Sequence, residues 1–449
     1  MLPDHAPVYS YLEQHAPQQL MPSNGDALDV KVNFDWTREP PPPSLSPFQR
    51  LFRNVDWAKT GFGPMASWPT ELRTIVRLLL VDTSPVILYW GQANSIMYNE
   101  AYMPFVGEKH PHILGMNASD VFINFGGVFE DILREQRLSG LTSSGASSML
   151  LIERHGFLEE TYCDWKMIPV IDDCGDVVGS YGVTTDLTKD VIWTRRNECV
   201  TNLAHHTAQA ATIDELWEVT VEGLERDDKD VPFALMYSVK EEIGTNEAPN
   251  QPSFNCRLER SVGVDPGHPL APEYLDIQRD LGGFAPTMLQ TLHQNTMLPM
   301  DANSDQLRDL LQGVEWKGYA LPCKQFVVLP VHADGRIVAF LVLGLNPYRR
   351  YNAMYKEFLR LITDVLGPQV SRLQLSQEVD RRAELARRAM LNFQKSETRF
   401  MLFAERSIIG LAMTDGDGNV CMALRYRYEH LVNSDRYDSL MTPGTASLV

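Results

Sequence analysis

Residues 325–346 read QFVVLPVHADGRIVAFLVLGLN. Two apolar runs, 325–332 and 336–346, rich in Val, Ile, Leu and Phe, are separated by Ala-Asp-Gly. Aliphatic and aromatic residues suit the pleated, packed surface of a sheet. Asp followed by Gly supplies the positive backbone angles that close a tight hairpin. The stretch is therefore a β-hairpin. The same device recurs in IDDCGDVVG (171–179) and TDGDGNVCM (414–422). Each of the three has helical segments before it, which predicts three consecutive α+β modules.

Between these hairpins the chain alternates helix and strand. Leu72, Ile75, Val76, Leu79 and Leu80 fall on one face of a helix that starts after Pro69, with Ser67 expected to cap it. Residues 85–91 (PVILYWG) and 95–99 (SIMYN) read as strands joined by a turn. Three β-rich runs follow at 147–157, 159–172 and 176–187, and 197–227 reads as two helical pieces broken near Thr212. Residues 232–239 form a strand, 270–315 mix helix and loop, and a helix from about 350 continues as a charged helix to about 400. The first 48 residues end in REPPPPSLSP and read as a disordered, proline-rich tail.

Composition narrows the function. The chain has 449 residues, ordinary hydrophobic (44%) and charged (22%) fractions, and a net charge of −18. The negative balance argues against nucleic acid and anionic membrane surfaces, both of which need clustered Lys and Arg. Its longest apolar run, 337–345, is far short of the roughly 20 residues that cross a bilayer. The N-terminus lacks the basic and apolar regions of a signal peptide, so a cytoplasmic location is expected. Six scattered cysteines (163, 174, 199, 256, 323, 421) show no CxxC spacing and read as reduced thiols.

Residues 55–190 resemble the PAS domain that opens many fungal and bacterial sensor histidine kinases. The likeness rests on VDWAKTGFGPMASWPTELR, on ILYWGQANSIMYNEAYMPFVGEKHPHILGM, and on FLEETYCDWKMIPVIDDCGDVVGSYGVTTDLT. Residues 200–376 resemble the GAF domain that follows in such proteins, and 397–420 resemble the start of a second PAS domain. The resemblance implies tandem PAS-like and GAF-like domains, α+β with antiparallel sheets and flanking helices, joined by a long signalling helix. The expected boundaries are 1–48 tail, 49–193 PAS, 197–376 GAF, 370–400 coiled-coil linker and 397–449 incomplete second PAS. It further implies the sensory region of a hybrid histidine kinase, an ATP-dependent protein-histidine kinase family acting in a phosphorelay. No N-box or DxGxG nucleotide box follows, and a kinase core needs roughly 200 residues where 49 remain after Phe400. A chain truncated before the kinase core is expected, with no catalytic residues of its own. A scaffold that pairs with a full-length kinase and a chromophore-binding photoreceptor are the alternatives.

Candidate sites are few. His205 and His206, in NLAHHTAQA, lack the acidic neighbour a phosphoacceptor needs and read as solvated histidines on the helix entering the GAF domain. Asn255, Cys256 and Arg257 match part of a flavin-attaching motif, but the residues around them do not. His110 and His112 flank Pro111 and read as part of a turn, His155 stands alone, and no metal is expected. The acidic pairs Glu159–Glu160, Asp172–Asp173, Asp227–Asp228 and Glu241–Glu242 read as solvated charge at turns and strand edges. No cofactor is expected, a small-molecule ligand of either domain being left open. The most informative pattern is a seam of alternating three- and four-residue steps at Val379, Ala383, Ala386, Met390, Phe393 and Phe400, interrupted by Glu397. It predicts a homodimer through the linker helix. Histidine-kinase or response-regulator pathway proteins are the further expected partners.

Overall fold

The computed structural model describes residues 35, 37, 41–42, 45–122, 127–154, 156–243, 252–406, 411–414 and 420–424. Two compact units emerge: Met1–Glu198 with Asn346–Tyr351, and Cys199–Leu345 with Asn352–Val449. Both are α+β with antiparallel sheets.

In the first unit, α1 (Pro47–Arg53) starts inside the span read as tail. The Ser46 hydroxyl accepts from Gln49 N while the Gln49 side chain reaches back to Ser46 N, a reciprocal cap. Helix α2 spans Thr70–Val81 and buries Leu72, Val76 and Leu79, as its periodicity predicts. Ser67 does not cap it. That residue ends a short 3₁₀ turn, and its hydroxyl donates to Pro64 O, leaving Pro69 at the cap position. Strands β1 (Val86–Trp90) and β2 (Ser95–Tyr98) precede the short helices α3 (Met103–Val106) and α4 (Ala118–Val121) and the longer α5 (Val128–Ser139). Strands β3 (Ser143–Arg154), β4 (Phe157–Ile171) and β5 (Val177–Asp186) complete a sheet of order β2-β1-β5-β4-β3.

Asn99 locks the start of this sheet. Its side chain is almost fully buried, at 1% exposure. Oδ1 accepts from Val86 N and Tyr102 N, and Nδ2 donates to Asp82 O and Ser84 O. All of the amide's strong hydrogen-bonding capacity is thus used on backbone, the condition for burying it at low cost.

Helix α6 (Thr188–Gln209) carries the chain across the division between Glu198 and Cys199. Thr212 then caps α7 (Ile213–Glu225) through Glu215 N, which is why the helix breaks there. Strands β6 (Phe233–Ile243), β7 (Pro252–Val262) and β8 (Tyr274–Asp276) lead to α8 (Ala285–Gln294). Strands β9 (Leu298–Asp301), β10 (Gln325–Ala333) and β11 (Arg336–Gly344) close a six-stranded sheet, β8-β7-β6-β11-β10-β9. The decisive hairpin forms as read. Ala333 pairs with Arg336, and Asp334 (φ 50°) and Gly335 (φ 76°) are both left-handed, the signature of a type I′ turn.

Helix α9 (Ala353–Arg406) is one 54-residue helix, about 80 Å long at 1.5 Å per residue. Strands β12 (Leu411–Thr414) and β13 (Val420–Leu424) pair antiparallel. Their turn, the rest of the expected second PAS domain and most of the proline-rich tail lie outside the described residues, as does His155. No helix among the described residues is long and apolar enough to cross a membrane.

Candidate functional site

The sequence motif EETY places Glu159 and Glu160 on β4, where neighbouring side chains point to opposite faces. Both were expected to be solvated. Instead Glu160 is fully buried, at 0% exposure. Its Oε1 accepts from Tyr162 OH (2.7 Å) and Arg195 Nη1 (2.8 Å), and Oε2 accepts from Asn346 Nδ2 (2.7 Å). The segment 346–351, which follows β11 in the chain, belongs to the first unit and completes the enclosure. Glu160 N donates to Tyr348 O, and Arg349 Nη1 bonds both Glu160 O and Glu159 Oε1. Arg154 lies 5.5 Å from the Phe105 ring centroid and 3.7 Å from Asp186. A buried carboxylate is tolerated only when paired and hydrogen-bonded, and these residues provide both. The solvated reading of Asp227 is likewise corrected, since it is only 8% exposed. Among the described residues the cluster around Glu160 joins its carboxylate to the Arg195 guanidinium and to the neutral donors Tyr162 and Asn346. Its chemistry is that of a buried, charge-balanced clasp between β4, α6 and 346–351.

A second feature of the first unit is an open groove of about 610 Å³ between α2 and the end of β4. Leu78 (54% exposed), Val81 (68%), Ile168 (41%) and Ile171 (50%) line it, with Tyr181 at its base donating to Asp82 Oδ2. Burial, then the Asp82 charge, pushes the Tyr181 phenol up to about 12.

The third feature is α9. From Asp380 to Phe403 every side chain is exposed. Val379 (57%), Met390 (65%) and Phe393 (69%) stand on one stripe with Ala383, Ala386 and Phe400. Arg381 and Arg382 both bind Glu378 and hold its carboxyl down at about 2.

The histidines and cysteines are placed elsewhere. His205 and His206 lie on α6. Gln209 Nε2 sits 3.0 Å from His205 Nε2, and His206 Nδ1 lies 2.7 Å from Asn202 O. His110 Nδ1 meets Tyr98 OH at 2.8 Å, its ring stacks on Phe48, and burial followed by the His112 charge lowers its pKa. No three His, Cys, Asp or Glu side chains stand together as a metal site among the described residues. Cys256 lies on β7 in the apolar core, 1% exposed, its thiol pushed up to about 12 by burial and then the Asp276 charge. Burial, the Asp186 and Asp164 charges acting with it, pushes Cys163 up to about 11, and burial also raises Cys199 and Cys323.

These positions set an expected labelling pattern. At pH 8 a thiol near 11 is only about one-thousandth thiolate, and burial blocks its approach as well. Brief iodoacetamide treatment of the folded chain, read peptide by peptide by mass spectrometry, should modify Cys174 and spare Cys163, Cys199, Cys256 and Cys323. Urea should expose all of them. Labelling of Cys256 as fast as Cys174 in the folded chain would contradict its place in the core.

Sequence reasoning singled out the residues that stand exposed along α9 but missed the clasp and the groove. The Arg195 and Asn346 partners of Glu160 lie 35 and 186 positions away.

No protein-family model matches the chain, and no curated protein matches it. Among solved structures it is similar to the GAF domain from an Acinetobacter phosphoenolpyruvate-protein phosphotransferase, at 13% identity and a TM-score of 0.27, covering 40% of this chain and 93% of that one. A segment of a methyl-accepting chemotaxis protein is similar at 16% identity and a TM-score of 0.29, covering 38% and 97%. Free methionine-R-sulfoxide reductase from Neisseria meningitidis is similar at 12% identity and a TM-score of 0.30, covering 40% and 91%.

Proposed function

We propose that this chain is the intracellular signal-sensing region of a two-component phosphorelay histidine kinase. In this reading the first unit is PAS-like, the second is GAF-like, and α9 pairs two chains and passes a change of register toward a kinase core. The observation that carries it is the order of parts: two antiparallel α+β units in tandem, then a 54-residue helix with an uncovered heptad seam. A stimulus acts by binding two linker arrangements with different affinity. No resident cofactor is proposed, and any ligand would be a small molecule held by either unit.

The test needs no knowledge of the stimulus. A histidine-kinase catalytic core is fused after Arg406, with one to seven residues inserted at the junction. Each added residue turns a helix by about 100°, and seven restore the phase of a heptad seam. Autophosphorylation should rise and fall with insert length and recover at seven. Output independent of insert length would refute the proposal.

One observation favours a variant in which α9 pairs with a different helix. In a parallel, in-register homodimer Arg382 flanks the seam opposite the partner copy's Arg387, a like-charge contact. Acidic residues at those flanking positions of another helix would relieve it.

A further inference from the structure

The chain leaves the sheet of the second unit at Leu345, whose amide donates to Gln325 O at 3.0 Å, and returns to that unit at Asn352. The residues between, 346–351, belong to the first unit and lie on β4 as a strap. Tyr348 N donates to Asn346 Oδ1 at 2.8 Å and Arg349 N to Asn346 O at 3.1 Å, which folds 346–349 into one turn. That turn is fastened to two successive residues of β4. Asn346 Nδ2 bonds Glu160 Oε2, Glu160 N donates to Tyr348 O, and Arg349 Nη1 bonds Glu159 Oε1 at 2.9 Å and Glu160 O at 3.0 Å. Arg350 adds a cation–π contact, 5.5 Å from the Phe157 ring centroid.

The strap ends where α9 begins. Asn352 caps that helix, its Oδ1 accepting from Tyr355 N at 3.0 Å and its carbonyl from Lys356 N at 2.9 Å. Tyr355, Phe358 and Leu359 of the first turns are buried, and Tyr355 OH donates to Asp230 O. Only Arg350 and Tyr351 separate the bonded Arg349 from the cap residue, and each residue reaches at most about 3.6 Å. Leu345 leaves equally little slack before Asn346. A shift of β4 at Glu159 and Glu160 that carries the strap must therefore reach the cap of α9. The fastening bonds are directional and mostly charge-assisted, so they discriminate small changes in the position of β4.

We propose that residues 346–351 are the input to α9: the first unit acts on that helix by holding or releasing its N-terminal cap, with the docked and released strap as the two states. The route rests on reading α9 as the output helix, and it places the entry of the signal at Asn352.

Hydrogen exchange of the full chain, resolved by peptide, tests this. Arg349→Glu sets a carboxylate against Glu159 and should release the strap. Exchange should then quicken at least tenfold both at 157–161 and at 353–359. A Gly-Ser-Gly-Ser insert between Tyr351 and Asn352 gives the cap slack. In the inserted chain Arg349→Glu should still quicken 157–161 and no longer change 353–359. The coupling is reciprocal, so Asn352→Ala should quicken 157–161 in the native linkage and not in the inserted chain. A strap that only braces β4 would leave 353–359 at the wild-type rate in Arg349→Glu, which overturns the proposal. Quickening of 353–359 that persists in the inserted chain assigns the coupling to another route and also overturns it. So does unchanged exchange at 157–161. If Arg349→Glu unfolds the first unit, seen as free-chain exchange of β1 and β5, Arg349→Ala takes its place with the same readings. No kinase core enters these measurements, so their failure is distinct from failure of the fused-core test.

Discussion

Arg195→Ala is expected to cost the first unit about 3 kcal/mol, the lower end for removing one partner of a buried ion pair. The reason lies at Glu160. Its carboxylate has no exposed surface, and Arg195 supplies the guanidinium bonded to it at 2.8 Å. Without Arg195 the enclosed carboxylate loses the guanidinium bonded directly to it, while its hydrogen bonds from the neutral Tyr162 and Asn346 side chains remain. A multi-unit chain has no single unfolding free energy. The readout is therefore exchange of β4 and α6 peptides in the intact protein, where 3 kcal/mol is about two decades of protection. The sharper result concerns the double variant. Glu160→Gln in the Arg195→Ala background removes the stranded charge, so it should restore stability rather than lower it further, a strong departure from additivity. Additive losses would mean that the pair contributes nothing beyond packing. Asn346→Ala should have a smaller effect, because it removes one hydrogen bond to a charged acceptor, about 1.5–3 kcal/mol at most.

How much of this was legible in the sequence depends on how far apart the cooperating residues lie. The 325–346 hairpin is written locally, since Asp334 and Gly335 are the residues a type I′ turn requires and the flanks are strand formers. The break at Thr212 is equally local, a cap bonding three residues ahead. Ser67 shows the limit of such reasoning. A cap-forming residue near a helix start was spent on a 3₁₀ turn, and the helix begins behind Pro69 without a side-chain cap. Glu160 could not be read at all. Alternation along β4 predicts one exposed face, but Arg195 and the 346–351 segment cover the face that a lone strand would show to water. Nor does any short-range signal mark the groove, which arises where β4 outruns β3. The seam on α9 is the opposite case. Its period is explicit in the sequence, and its occupant is not.

Phe393→Glu is expected to weaken self-association of the chain at least 100-fold. Phe393 is 69% exposed on a single α9, and Val379, Met390 and Phe400 share its stripe. In a paired helix both copies of Phe393 are covered, and burying a Phe side chain is worth about 1.5–3 kcal/mol. Two copies lost give about 3–6 kcal/mol, more than two decades in Kd at 1.4 kcal/mol per decade. Multi-angle light scattering across a dilution series measures this directly. The neighbours of Phe393 sharpen the prediction. Glu397 falls at a seam position, so pairing in register sets two carboxylates face to face, and Glu397→Leu should tighten the dimer. Arg382 and the partner copy's Arg387 repel across the flank in a parallel pair. Added salt, which shortens the Debye length from about 10 Å at 0.1 M to about 3 Å at 1 M, should therefore strengthen rather than weaken association. A wild-type chain that stays monomeric at tens of micromolar in high salt would remove the homodimer. The stripe would then belong to a helix of another protein, one with acidic residues where this chain carries Arg382 and Arg387.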